Sequence, residues 1–417
     1  MKRDQFELYG ANGSPYSVKM RAYLRYKHLP FVWRSQQTAQ SYTSNANEIK
    51  NIFPQTTPSE TTPSETPSPS TRKSKTKSLN KRWPARFSHL KAKVIPVLVF
   101  PDSSTPTGTD KIKNDSTILI QEIERGADCL GFNCLTRPSL PHLGTANAFL
   151  SDLIEDFADE WLTKCMYGFR WNRPKDQEYS SNLLTFDMML LSGKKKELNE
   201  TFRSTMQKVI KETQTSRTTI VGCSDETIHR TFHETCSLLE EWLLSGGVSL
   251  FGGAAISAAE FALYGQMSQW NIDRTAAEML PTKYPRTFAW LWNMEDQSGT
   301  PDIHSTQADG APAFVDITEG TPNVVRHFLE LIGKTYLPFL VANRQARRNQ
   351  KKTVSVEIFN GEILHTQPPF GYQDYCYTWL QESLNQVEQG PQLEALIQLL
   401  KETKCLDFFS IPSVSKM

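Results

Sequence analysis

The stretch Phe6-Glu7-Leu8-Tyr9-Gly10-Ala11-Asn12-Gly13-Ser14-Pro15-Tyr16-Ser17 decides the predicted fold. Residues 6–9 alternate as a half-buried strand does. Residues 10–13 contain two glycines and supply a turn. Ser14 then stands where a helix N-cap belongs, and Pro15 occupies the first helical position. A strand, a turn and a capped helix are therefore predicted at the start of the chain.

The composition limits the class of protein. The 417 residues suit two domains, or two domains and a smaller section. The formal net charge of +1 gives no whole-chain indication of a nucleic acid or an anionic membrane as partner. No window approaches about 20 consecutive apolar residues, so no membrane-spanning helix is predicted. The charged first residues lack the apolar segment of a signal peptide, and the seven cysteines are scattered. We therefore expect free thiols and a cytoplasmic location.

A low-complexity insertion interrupts the N-terminal part. The pentad Thr-Thr-Pro-Ser-Glu occurs at 56–60 and again at 61–65, and a basic stretch follows. Such sequence cannot bury enough apolar surface to offset the entropy lost on ordering, so we expect a disordered insertion over about 54–92. A continuous apolar run over 94–100 predicts a buried strand, and a helix is predicted to begin near Ser116.

The remainder is predominantly helical in its apolar periodicity. Apolar side chains recur at i, i+3, i+4 and i+7 from Leu150 to Phe169, which predicts a long amphipathic helix. Its acidic residues off the apolar stripe are Glu155, Asp156, Asp159 and Glu160. We expect them to form a solvated face, with a substrate cleft as the alternative. Further helices are predicted near 196–213, 225–245, 257–270 and 283–296. Beyond residue 320, we expect more helices and a hairpin that turns at Asn360-Gly361.

Four short motifs, in this order, resemble the glutathione transferase family. They are Ser14-Pro15-Tyr16-Ser17, Val94-Ile95-Pro96-Val97-Leu98, Asp115-Ser116-Thr117 and the capping-box pattern Ser257-Ala258-Ala259-Glu260-Phe261. The resemblance covers about residues 6–35 and 93–300. It implies an α/β thioredoxin-like, glutathione-binding domain over 1–135 and an all-α transferase C-terminal domain over 140–300. A small α+β C-terminal extension over 315–417 has no counterpart in the family's minimal pattern.

The resemblance also implies the residues of a glutathione site. Ser14 would be the catalytic hydroxyl, because a donor at a helix N-terminus can stabilise the glutathione thiolate together with the helix dipole. Ser17 and Tyr9 are the alternatives. The cap alone would also explain Ser14, at about 1 kcal/mol.

The second and third motifs would hold the rest of glutathione. Pro96 is expected to be cis, with the backbone of Ile95 pairing with the cysteinyl part of glutathione. Asp115 and Ser116 would hold its γ-glutamyl group at a helix start, and a simple capping pair is the competing interpretation.

The helical part contains two further candidate sites. Trp161, Tyr167 and Trp171 could line an apolar second-substrate pocket between the domains, or simply belong to the core. His229 and His233 have a spacing that can bind zinc, but a surface helix is the simpler interpretation and no metal is expected.

Three functions are compatible with the resemblance. The first is a glutathione-dependent transferase that conjugates the glutathione thiolate to a small apolar electrophile, with glutathione as co-substrate and, by family habit, a homodimer. The second is a non-catalytic interaction or ligand-binding protein on the same fold, which the insertion and the extra C-terminal section favour. The third is a glutathione-dependent peroxidase or reductase. No nucleic-acid partner is expected.

Overall fold

The computed structural model describes residues 4–35, 85–92, 94–102, 111–125, 137–189, 200–301 and 312–411. Most of the insertion predicted at 54–92 lies outside these ranges. Its last residues, 85–92, are described, and their side chains Phe87 and Leu90 are buried against the sheet. The expectation of disorder was therefore wrong for 85–92, because these large apolar side chains cover a sheet face.

The N-terminal part folds around a four-stranded mixed sheet. Its strands are β1 (Phe6–Gly10), β2 (Phe31–Ser35), β3 (Val97–Val99) and β4 (Ile112–Asn114), in the order β2-β1-β3-β4. Strand β1 runs parallel to β2 and antiparallel to β3, and β4 runs antiparallel to β3. The helix after β1 is α1 (Pro15–Tyr26), and the helix after β4 is α2 (Ser116–Arg125). This small mixed sheet with its two helices fits the predicted N-terminal domain.

Strand β1 directs alternate side chains to opposite faces of the sheet, as a pleated strand must. Phe6 and Leu8 point into the main core of the protein. Tyr9 points to the other face, where it packs with Val97 and Phe87. The two faces therefore separate the residues that can reach the helical part from those that cannot.

The helical part begins with one long, interrupted helix. It consists of α3 (Ala146–Asp156), a π-helical segment (Phe157–Leu162) and α4 (Thr163–Trp171). The helices that follow are α5 (Pro174–Met189), α6 (Glu200–Thr215), α7 (Thr218–Val221), α8 (Asp225–Leu244), α9 (Ala258–Trp270), α10 (Arg274–Lys283) and α11 (Pro285–Met294). The helices predicted from periodicity are confirmed as α6, α8, α9 and α11, and the mostly helical character of this part is confirmed with them.

Helix α9 begins with the predicted capping box. The Ser257 hydroxyl accepts from the Glu260 backbone N–H, and the Glu260 carboxylate accepts from the Ser257 backbone N–H at 2.8 Å. Farther along α9, a Cβ at Gly265 would lie 2.8 Å from the backbone oxygen of Pro15 in α1. Helices α1 and α9 therefore cross so closely that a glycine is required at this position.

The C-terminal section contains both helices and the predicted hairpin. Its elements are α12 (Asn323–Lys334), α13 (Tyr336–Arg348), β5 (Val354–Ile358), β6 (Ile363–Gln367), α14 (Gly371–Asn385) and α15 (Pro391–Glu402). Strands β5 and β6 pair antiparallel, with Ile358 opposite Ile363. The turn at Asn360 and Gly361 has positive φ angles of 59° and 91°, which confirms the predicted Asn-Gly turn.

The C-terminal section shares one core with the helical part. The Trp161 ring is fully buried and lies 6.1 Å from the Tyr336 ring, 5.6 Å from Phe339 and 5.2 Å from His365, between centroids. One contiguous cluster contains buried apolar side chains from all three parts. The domain boundaries proposed from the sequence stay predictions.

Candidate functional site

The N-terminus of α1 carries the predicted catalytic serine. Ser14 has extended backbone angles and its hydroxyl accepts from the Ser17 backbone N–H at 3.4 Å, so it caps the helix. The Ser17 side chain is fully buried and close to Gly10. Tyr9, the other alternative, lies on the opposite face of the sheet, where its hydroxyl donates to Glu7 at 3.1 Å. Ser14 is therefore the one of the three at the helix start.

The start of β3 and the start of α2 bring the other predicted residues together. The Ile95–Pro96 peptide bond is cis, as predicted. Asp115 has a φ of +80°, a region that non-glycine residues rarely occupy, and its carboxylate accepts from the Thr117 backbone N–H at 3.2 Å. Ser116 is the first residue of α2. A left-handed backbone held in place at a helix start is a feature that clusters at ligand sites.

A cavity of about 580 Å³ opens between the sheet edge and the helical part. The N-terminal part contributes Tyr16, Ile95, Pro96, Asp115 and Ser116 to its lining. The long interrupted helix contributes Asp156, Asp159, Glu160, Lys164 and Tyr167. The C-terminal section contributes Gln367, Phe370, Tyr372, Gln373 and Trp379. Three separate parts of the chain thus build one site.

Some of the predicted site residues line the cavity and others do not. The residues that line it are Ile95, Pro96, Asp115, Ser116 and Tyr167. Among the described lining residues, Ser14, Trp161 and Trp171 do not occur. Trp161 and Trp171 are buried in the core, which was their alternative interpretation.

The family comparison concerns the start of the N-terminal part. Residues 8–58 match the sequence profile of the glutathione S-transferase N-terminal domain. No curated protein matches the chain. The matched segment includes Leu8–Gly10 of β1, α1 and β2, so the likeness to this family rests on the first half of the mixed sheet. Among the described helices, none has the length and apolar character needed to cross a membrane.

The acidic residues of the long helix are buried, and the expectation of a solvated face was wrong. Asp156, Asp159 and Glu160 are each at least nine-tenths buried and line the cavity. The predicted apolar stripe is buried as well, so the helix is covered on more than one face. Tyr336, Lys19 and Gln373, from three other helices, contact Asp156, Asp159 and Glu160 respectively. The segment Phe157–Leu162, which holds two of these acids, is π-helical. π-bulges of this kind are frequent at functional sites.

Burial shifts the proton affinities of these acids. It raises the pKa of Asp156 to about 7 and that of Asp159 to about 6. Burial also raises the pKa of Glu160 well above its usual value, and the neighbouring Asp156 raises it further. Lys164 is buried beside them, and its pKa falls to about 8. The cavity therefore holds groups that titrate near neutral pH.

A buried lysine of α1 connects the N-terminal part to the acidic helix. The Lys19 ammonium lies 2.7 Å from the Glu155 carboxylate and 2.6 Å from that of Asp159, and its side chain is fully buried. The Thr117 hydroxyl donates to Glu155 at 2.7 Å. The sequence could have predicted this network. Lys19 shares a face of α1 with Tyr16, and a charged side chain on a buried helix face requires a partner of opposite charge. No local signal marks Tyr372 or Gln373, which arrive from the far end of the chain.

The histidine pair does not form a metal site in the described structure. His233 Nδ1 lies 2.7 Å from the Tyr284 hydroxyl, and His229 Nε2 lies 2.8 Å from the Arg173 guanidinium. Within the ranges that the structure describes, no group of three or more His, Cys, Asp or Glu side chains is arranged to hold a metal ion.

Proposed function

We propose that the protein is a glutathione-dependent transferase that conjugates the glutathione thiolate to an apolar electrophile. The observation that carries this proposal is the cavity itself. On one side it is lined by Ile95, Pro96, Asp115 and Ser116, the residues that the family resemblance assigns to glutathione. On the other side it is lined by side chains of the helical part. Glutathione and a second substrate would thus meet in one place, and catalysis would come mainly from proximity.

Ser14 is the proposed thiolate stabiliser. It stands at the N-terminus of α1, where the helix dipole favours an anion. Its hydroxyl accepts from Ser17 and so keeps its own proton available to donate to a sulfur. Ser14 does not line the described cavity, so the sulfur would have to lie at the edge of the cavity nearest to α1.

The test is glutathione conjugation to a generic aryl halide with the full chain. For Ser14→Ala we expect kcat/KM to fall by about 100-fold, the usual cost of losing one donor to a developing anion. Ser224→Ala is the matched control, because Ser224 caps α8 through the same 3.4 Å contact to a backbone N–H. It should lose a cap of similar strength and keep full activity. An absence of glutathione binding at millimolar concentration in the wild-type protein would refute the proposal.

A non-catalytic ligand-binding protein is the second candidate, and one contact favours it. The Tyr372 hydroxyl of the C-terminal section donates to the Asp115 carboxylate at 3.3 Å, on the residue proposed to meet the γ-glutamyl group. Wild-type protein that binds glutathione, turns over neither aryl halides nor peroxides, and binds equally well as Ser14→Ala would support this candidate. Glutathione-dependent turnover would contradict it.

A further inference from the structure

The cavity has an unusual charge balance for a predominantly apolar pocket. Its described lining contains four carboxyl groups, from Asp115, Asp156, Asp159 and Glu160, and one ammonium group, from Lys164. Lys164 already donates to the Val221 backbone oxygen and to Gln367, each at 2.7 Å. Buried carboxyl groups keep their protons unless a cation lies near, so this surplus of acid offers a bound cation partners that would ionise beside it.

Of the four carboxyl groups, only Asp159 forms an ion pair in the described structure, and Asp156 and Glu160 lie deepest among the other three. Asp156 accepts from the Tyr336 hydroxyl at 2.7 Å, and Glu160 accepts from the Gln373 amide at 3.2 Å. The described ion pairs of Lys19 go to Glu155 and Asp159 instead. Neutral donors therefore satisfy part of Asp156 and Glu160, and neither forms an ion pair with a described lysine or arginine.

Gln373 provides a second, independent indication of a missing donor. Its side chain is 3% exposed and lines the cavity. Its Nε2 donates to the backbone oxygen and the carboxylate of Glu160, at 3.3 and 3.2 Å, which fixes the orientation of the amide. Its Oε1 accepts no hydrogen bond from the described part of the protein. A buried acceptor without a donor is destabilising, so a bound N–H group would stabilise it.

Aromatic side chains surround the same space. Tyr16, Tyr167, Phe370, Tyr372 and Trp379 all line the cavity. Aromatic faces attract cations and also accommodate apolar surface. A carboxylate-bearing ligand would meet like charge, and a neutral apolar ligand would leave the Gln373 oxygen without a donor.

We infer that the cavity binds an apolar compound that carries a protonated amine. The ammonium group would donate to Gln373 Oε1 and face the carboxyl groups of Glu160 and Asp156, and the apolar body would lie against the aromatic side chains. The inference goes beyond the proposed function, because binding of the amine requires neither glutathione nor turnover.

The test compares three probes of one shape on the full chain, without glutathione. Naphthylmethylamine, naphthylmethanol and naphthoate would each be titrated by calorimetry at about pH 8, where an alkylamine keeps its proton. We expect the amine to bind at least about 10-fold more tightly than the alcohol, because the alcohol cannot make the charge-assisted contact of the ammonium group. Naphthoate should bind most weakly. Equal affinities for the three probes, or no binding of the amine at millimolar concentration, would overturn the inference.

Two variants locate the contact. Gln373→Leu and Glu160→Gln should each weaken binding of the amine by about 10-fold and leave that of the alcohol unchanged. Glu178→Gln, which removes an exposed carboxylate on α5, is the matched control and should leave all three affinities unchanged. Amine binding that survives both cavity substitutions would contradict the proposed contact. If either variant fails to fold, the three-probe comparison on the wild-type protein still decides the question.

Discussion

The buried carboxyl group of Asp156 makes the stability of the fold depend on pH. Burial raises the pKa of its carboxyl group from 3.8 to about 7. The folded protein therefore keeps a proton that the unfolded chain has already lost. The stability that this proton provides is fully present below pH 3.8 and is lost as the pH rises through about 7. With these two values, protonation of Asp156 stabilises the fold by about 2 kcal/mol more at pH 5.5 than at pH 8.

Asp156→Asn removes this pH dependence and keeps the contact with Tyr336. The amide oxygen of asparagine can still accept from the Tyr336 hydroxyl, which lies 2.7 Å from the carboxylate. Urea unfolding, followed by tryptophan fluorescence, gives the free energy of unfolding at each pH. Between pH 5.5 and pH 8 we expect the wild-type protein to lose about 2 kcal/mol more than the variant.

A control and a refuting result complete this experiment. Glu178 is an exposed carboxylate paired with Lys211, and Glu178→Gln should keep the pH dependence of the wild-type protein. If Asp156→Asn loses as much stability between the two pH values as the wild-type protein does, Asp156 is ionised throughout. The argument from burial would then be wrong.

Three substitutions test buried contacts outside the cavity lining, each by its free energy of unfolding. Lys19→Met leaves two buried carboxylates without their shared ammonium, and we expect a loss of about 3–5 kcal/mol at pH 8. The loss should shrink as the pH falls through about 6, the pKa of Asp159, because this carboxyl group then takes up a proton. A loss that does not change with pH would contradict this. Gly265→Ala forces a methyl group to within 2.8 Å of a backbone oxygen and should cost about 1–3 kcal/mol, whereas Gly299→Ala enters open space and should cost much less. Ser257→Ala should cost about 1–2 kcal/mol through the lost cap, and an unchanged stability would show that the capping box contributes nothing.

Local sequence patterns were sufficient for the elements and for part of the site. The order of strands and helices around Ser14 and the capping box at Ser257 each depend on a few neighbouring residues. The Asn360-Gly361 turn likewise follows from a two-residue pattern. The cis bond before Pro96 was predicted from the family resemblance instead. Such features are predictable because the chain's local chemistry and its final structure agree at these positions.

The wall of the cavity was not predictable in the same way. A regular helical period placed Glu160 on a solvated face, but the C-terminal section covers that face through Gln373. Its partner Gln373 comes from a helix 213 residues farther along the chain. Neither residue carries a local pattern that points to the other, since long-range packing alone brings them together.

The contact between Lys164 and Gln367 also has a consequence for the newly made chain. The two residues are 203 positions apart, and the bond joins a buried ammonium to its acceptor. At about 5–20 residues per second, a ribosome takes about 10–40 s to add the intervening residues. For most of that time Trp161 lacks the rings of Tyr336 and Phe339, which cover it in the finished protein. Nascent chains stalled at residue 300 should therefore expose this helix to chaperones and proteases. The full chain, held on the ribosome by an added C-terminal linker, should protect it.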